Sequence, residues 1–262
     1  MKNKRAAELF LKYLKLSTSP VALKMCTSKD ELPAGTNIPR KKWGVDLRAC
    51  QAVHVARRDG FAVAVSRDDM PCPTGLVSMG FFKPTDLYWS GLCFSPSYQS
   101  QEAKKIKAKI TPKLEAGKYE FMLVAPLDKA SFDPDVILFY GNPGQITKLI
   151  QAAVLKTGEP LTAKTLCGTA CSEWLSAAML TGECQYVFPC DGERRYGALD
   201  ESEMVFSLPF EKMEEILEAL KTGYYAKEGP RKYPTGRFLM HQGPNTAKYE
   251  KLLESLRKEG RP

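Results

Sequence analysis

Four cysteines of the chain stand in two matching contexts. Arg48-Ala49-Cys50 opens a stretch through Ala52, Val53, Val55 and Ala56 to Gly60; the apolar residues 61–65 follow, and then Pro71-Cys72-Pro73-Thr74-Gly75. Thr169-Ala170-Cys171 opens a second stretch through Trp174, Leu175, Ala177 and Ala178 to Gly182; residues 185–188 follow, and then Pro189-Cys190-Asp191-Gly192. Both read as cysteine, helix, glycine turn, strand, proline-cysteine. Two such halves can bring Cys50, Cys72, Cys171 and Cys190 together across a pseudo-twofold axis. Four thiolates at one point are the donor set of an iron–sulfur cluster or of zinc.

The local contexts favour thiolates. A cysteine just before a helix or on its first turn gains from free N–H groups, which lower its pKa, and this is the expected position of Cys50 and Cys171. Prolines beside Cys72 and Cys190, with Gly75 and Gly192 close by, make turns whose N–H groups can face cluster sulfides. The plain alternative is that four small core hydrophobes recur in two similar halves, since free cysteine is often buried. Between metals, zinc commonly takes its ligands from short knuckles, whereas well-separated cysteines from two halves suit a [4Fe-4S] cluster bridging them. Zinc, or a metal-free thiol core in a binding or regulatory module, is the alternative.

The other four cysteines separate by context. Cys26, Cys93 and Cys184 are expected to be structural. Cys167 lies four residues before Cys171, about one helical turn if the segment is helical, and is the substitute ligand should one of the quartet stand too far away. Histidine is nearly absent, with two in the chain. His54 would share a helix face with Cys50, but a nucleophilic dyad also needs an oriented base, so an ordinary partly buried histidine is expected. Acid–base work would fall to Glu173, Asp191, Glu193 or Tyr196, and Arg194 and Arg195 are the candidates for a carboxylate or phosphate. The plain reading of these charged residues is solvated loops.

Composition bounds the rest. The 262 residues are 44% hydrophobic, enough for a sizeable core, and no apolar run approaches the roughly 18 residues that span a bilayer. The N-terminal residues read as an amphipathic helix rather than a secretory signal, so a reducing cytoplasm is expected and disulfides are not. The net charge of +8 is scattered: Lys104, Lys105, Lys107, Lys109 and Lys113 read as one solvated helix face. No nucleic-acid motif is present, so the expected partners are a redox protein or a small anionic ligand, with a homo-oligomer open and a membrane excluded.

Helix and strand signals alternate irregularly. Strands are expected at 20–25, 61–65, 87–94, 121–125, 135–140, 185–188 and 203–209; helices at the N-terminus, after Cys50, at 99–114, 145–156, after Cys171 and at 210–221. Asn142-Pro143-Gly144 reads as a plain helix start, with Asn142 as cap, rather than a nucleotide loop. A long loop at 223–245 and a helix at 249–258 close the chain. Residues 92–96 and the helix after them are matched with 203–221. The expected fold is α+β, a mixed sheet with helices, built by internal duplication from two similar halves, residues 1–128 and 129–262, fused into one domain.

Ala49-Cys50-Gln51-Ala52, Pro71-Cys72-Pro73-Thr74-Gly75, Cys171-Ser172-Glu173 and Pro189-Cys190-Asp191-Gly192-Glu193-Arg194-Arg195, followed by Asp200-Glu201-Ser202-Glu203, resemble the domain-of-unknown-function family numbered 169 of archaea and anaerobic bacteria. The resemblance covers residues 8–225. It implies a cytoplasmic protein of organisms rich in iron–sulfur enzymes and assigns no reaction. Together with the quartet it gives the expectation of a [4Fe-4S] protein with a redox or cofactor-related role in anaerobic metabolism.

Overall fold

Runs of β-branched and aromatic residues build the strands. Six of them, β1 (Val21–Cys26), β2 (Val63–Ser66), β3 (Phe121–Pro126), β4 (Val136–Gly141), β5 (Gln185–Val187) and β6 (Met204–Pro209), form one sheet in the order β2-β3-β1-β4-β6-β5. The computed structural model describes residues 2–94, 98–166 and 168–223, which lie within one compact unit. Every strand pairing in this sheet is antiparallel, so the mixed sheet expected from sequence is a purely antiparallel one. Strand signals mark where strands lie but carry no direction; the returns between them decide that.

The junction at the centre pairs Val21 with Leu138, Ala22 with Ile137 and Leu23 with Val136. It lies across the boundary between residues 128 and 129, so one sheet runs through both halves of the chain. Outward from this junction each side carries the first, last and middle strand of its half. Both last strands also end alike: β3 stops at Pro126 before a 3-10 turn at Leu127–Lys129, and β6 at Pro209 before one at Phe210–Lys212.

Among the described residues, ten α-helices accompany the sheet: α1 (Lys2–Leu14), α2 (Pro39–Trp43), α3 (Ala49–His54), α4 (Pro73–Ser78), α5 (Asp86–Trp89), α6 (Gln101–Ile110), α7 (Pro143–Val154), α8 (Ala178–Thr181), α9 (Asp191–Tyr196) and α10 (Met213–Thr222). Alternation along the strands sends side chains to opposite faces. Ala22, Ile137, Phe139, Phe206 and Leu208 pack under α1, α7 and α10 through Phe10, Leu149 and Leu217. Val21, Leu23, Val65, Val124, Leu138, Tyr140 and Val205 face the other way, against Ala52, Val53, Trp174 and Leu175 of the cysteine-bearing helices. The sheet is thus covered on both faces, and the functional candidates all belong to one of them.

Both cysteine helices widen into π-helical segments, Val55–Asp59 after α3 and Ser172–Ala177 before α8, and both end at a left-handed glycine, Gly60 and Gly182. Asn142 caps α7 as expected: its Oδ1 accepts from Gln145 N at 3.0 Å, and Gln145 Oε1 accepts from Asn142 N at 2.9 Å.

Two expectations fail. The strand at 87–94 is helix α5 followed by a 3-10 turn at Leu92–Phe94; Thr85 caps this helix, and local capping outweighs the β propensity of its aromatics. Consequently the strand that holds in the first half the place of β6, next to the central strand, is β3 and not residues 92–96. Lys107 is not a solvated lysine either: it is 2% exposed. The loop and helix expected after residue 223 lie outside the described residues.

Gly80 and Gly182 both hold left-handed φ angles, +71° and +65°, but a Cβ at Gly80 would stand 2.4 Å from the Glu115 carbonyl oxygen while one at Gly182 meets nothing within 4 Å. Urea unfolding should therefore show Gly182→Ala losing about 1–2 kcal/mol, the left-handed penalty alone, and Gly80→Ala losing clearly more. Equal losses would refute the close approach at Gly80.

Candidate functional site

The four repeated cysteines come together. Cys50 on the first turn of α3, Cys72 at the N-cap of α4, Cys171 at the start of the second cysteine helix and Cys190 at the N-cap of α9 line one cavity of about 230 Å³, open to solvent. Cys93, set aside from sequence as structural, lines it too. Its 3-10 turn, where a strand was expected, carries it there. Cys26 and Cys184 are buried elsewhere, as expected. Cys167 lies outside the described residues. After it, Thr169 has φ +64° and the helix begins at Ala170.

The sulfurs feel one another. Burial pushes the Cys50 thiol up to about 12, and Glu193, Cys72 and Cys190 add to the rise. Burial also pushes Cys171 well above its ordinary value, reinforced by Cys72, Cys190, Cys50 and Glu193. Cys190 is raised by burial, while backbone N–H groups of Ala170, Glu193 and Thr169 near its sulfur pull it back. Cys72 Sγ lies 3.4 Å from Thr74 Oγ1. The helix-start effect expected to lower Cys50 and Cys171 is overridden, because desolvating a charge inside a protein outweighs a few nearby N–H groups. Among the described residues, no three His, Cys, Asp or Glu side chains are gathered as ligands for a single ion.

Beneath the sulfurs lies a buried polar layer that the sequence expectation captured only in part. Glu193, 2% exposed, is pushed up to about 7 by burial, against the pull of Tyr140, Trp174 and Arg57. Tyr140 Oη donates to Glu193 Oε1 at 2.8 Å. The other oxygen, Oε2, and the nearby Trp174 Nε1 complete no hydrogen bond. Arg57 lies 4.3 Å over the Tyr140 ring and grips Glu203 with both terminal nitrogens, at 2.7 and 3.0 Å. Burial would raise Glu203, but this grip and the Asp200 N–H hold it below the usual carboxylate range. No sequence signal singled out Arg57 from its neighbour Arg58; only the π-helical turn that aims it inward does so.

The remaining candidates separate by position. Asp191 lines the cavity mouth. Glu173 is buried behind it, accepting from Leu166 N at 2.8 Å and Thr165 Oγ1 at 3.4 Å, and its carboxyl is raised by burial. Lys107 donates to the carbonyls of Leu166 and Gly168 at 3.1 and 2.8 Å, and Tyr98 to that of Leu166 at 2.6 Å, so this loop is fastened from three sides. His54 does not line the cavity; its Nδ1 donates to the Gly197 carbonyl at 2.7 Å and ties α3 to the end of α9. Arg194 donates to the Asp200 carbonyl at 2.8 Å and Arg195 is exposed; neither lines the cavity. The cationic lining residue is Arg48, stacked 3.8 Å over the Tyr196 ring.

A carboxyl raised from 4.5 to about 7 favours the fold while protonated. Its contribution is fully present below pH about 4.5 and is lost as pH rises through about 7, roughly 3 kcal/mol in all. Urea unfolding of chelator-treated protein should show Glu193→Gln, which keeps the acceptor for Tyr140, flattening the pH dependence over that window. A slope equal to that of the parent would refute it. Arg57→Met should cost about 3–5 kcal/mol by stranding Glu203, and adding Glu203→Leu should recover a large part.

The family model described as DUF169, Uncharacterised ArCR, matches residues 10–219. An uncharacterized protein of Methanocaldococcus jannaschii, MJ0308, is 27% identical over 219 residues, covering 82% of this chain and 92% of that protein. No solved structure matches the chain. The matched span takes in the six described strands, the cysteines that line the cavity and the polar layer beneath them, and the chain belongs to the DUF169 family.

Proposed function

We propose that the protein holds a [4Fe-4S] cluster between its two halves, ligated by Cys50, Cys72, Cys171 and Cys190, and uses it in a redox or cofactor-related step of anaerobic metabolism in the cytoplasm. The observation that carries this reading is the convergence of four cysteines, distant in sequence and alike in context, on one cavity. A bound cluster would supply one-electron redox chemistry or an iron Lewis acid. The residues around it suit the task. Backbone N–H groups of Ala170, Glu193 and Thr169 near Cys190, and of Gln51 near Cys50, can stabilise thiolate charge. Apolar walls and the buried polar layer keep water from the inner side.

Internal duplication fits the same reading. The strand order, the two left-handed glycines, the paired π-helical segments and the two N-cap cysteines correspond half to half. A pseudo-twofold axis through the β1–β4 junction would relate them and place the cluster at the seam. Beside Cys167, the substitute ligand expected from sequence, Cys93 is a second spare sulfur able to replace a ligand, since it lines the same cavity. Zinc has weaker support: tetrahedral thiolates at about 2.3 Å from one ion stand about 3.8 Å apart, and no three described His, Cys, Asp or Glu side chains are gathered for one ion. A polynuclear cluster spreads its thiolates wider.

Anaerobic purification or reconstitution should give a brown protein absorbing near 400 nm with about four irons and four sulfides per chain. Cys72→Ser or Cys190→Ser should abolish this, and Cys26→Ser should not. Colourless protein with neither iron nor zinc would sink the metal readings and leave the thiol-core module. Since Cys50 and Cys171 hold their protons when metal-free, assembly must release them, and reconstitution should proceed further at about pH 8.5 than at about pH 6.5.

A further inference from the structure

Among the described residues, three charged side chains line the thiol cavity: Arg48, Asp191 and Glu193. Arg48 differs from the other arginines near it. Arg40, Arg57, Arg58 and Arg67 each reach a carboxylate, whereas Arg48 pairs with no carboxylate among the described residues. Its guanidinium carbon instead lies over the Tyr196 ring, 3.8 Å from the centroid. This contact holds the head group against the ring and uses none of its N–H donors on a carboxylate. The flanking backbone is also fixed, since Arg48 N donates to Gln51 Oε1 at 3.0 Å and Ala49 is buried. A half-buried, oriented and unpaired guanidinium beside a cavity is a receptor for a planar anion.

We infer that the mouth of the thiol cavity binds the carboxylate of a small organic acid, gripped by Arg48 against Tyr196. Geometry and charge select the class. The planar guanidinium fork matches a carboxylate, and Asp191 and Glu193, which line the same cavity, oppose a phosphate dianion about twice as strongly as a carboxylate monoanion. Size sets the scale, because about 230 Å³ lies below the range of about 300–1,000 Å³ that suits drug-sized ligands. An acid of a few carbons fits, with its body directed at the sulfurs. The site concerns the same cavity as the proposed cluster, but the grip on the carboxylate does not require one.

Saturation-transfer NMR with pyruvate and with acetate, and inorganic phosphate as competitor, tests this on the full chain. Either acid should bind the parent protein, phosphate should not displace it, Arg48→Gln should weaken binding at least tenfold, and Arg48→Lys should recover part of the loss. Arg195→Gln, at an exposed arginine outside the cavity, should change nothing. Binding of neither acid, displacement by phosphate, or equal effects of Arg48→Gln and Arg195→Gln would overturn the inference. Two measurements separate it from the cluster reading. Acid binding retained by iron-free Cys72→Ser protein supports the carboxylate site whatever becomes of the cluster. Arg48→Gln protein should keep the parent's iron content and thermal unfolding midpoint; loss of either together with acid binding would show a structural role for Arg48 and overturn it.

Discussion

The structure depends on a short stretch of backbone pairing, Val21 to Leu138, Ala22 to Ile137 and Leu23 to Val136. This is where β1 and β4 turn two three-stranded segments into one sheet. All six residues are buried, so no water competes for their backbone groups, and losing the ladder would leave buried N–H and C=O groups unpaired. Once it forms, the cysteine-bearing helices of both halves lie over the same face. That shared face is why cysteines more than a hundred residues apart can line a single cavity.

Side-chain bonds then lock the seam. Arg57 of the first half grips Glu203 of the second, His54 reaches the Gly197 carbonyl, and Ser176 Oγ donates to the Ser78 carbonyl at 2.8 Å. An apolar seam would stabilise the fold at least as well, because desolvating a buried ion pair offsets much of its Coulomb gain. Directional bonds instead fix distances, and a cavity bounded by several elements requires fixed distances. The two π-helical segments serve the same end. Each widens a helix at the cavity and turns Arg57 or Trp174 inward, an arrangement common at functional sites.

The cavity opposes negative charge on its own side chains. Burial raises the Cys50, Cys171 and Cys190 thiols and the Glu193 carboxyl, and Glu193 adds to the rise of all three thiols. The cost is that of ionising one such group beside the others in a dry interior. Arg48 lines the same cavity without a carboxylate partner among the described residues.

By itself the sequence determined the six strands of the sheet, though not the helix at 86–89 that it reads as a seventh, the two cysteine–helix–glycine–strand–cysteine units, the cap at Asn142 and the buried fates of Cys26 and Cys184. Each follows from local periodicity, turn chemistry or composition, which act over a few residues. The tertiary structure alone decided that the sheet is antiparallel, that β3 rather than residues 92–96 holds the place beside β1 that β6 holds beside β4, and that Cys93 joins the quartet at the cavity while His54, Arg194 and Arg195 stay outside. It also decided that Arg57, Lys107 and Arg48 differ from the charged residues beside them in the chain. Those outcomes depend on which distant elements pack together. A single charged residue carries no local mark of the partner, the desolvation or the cavity it will meet, because all three are set by chain segments far away in sequence.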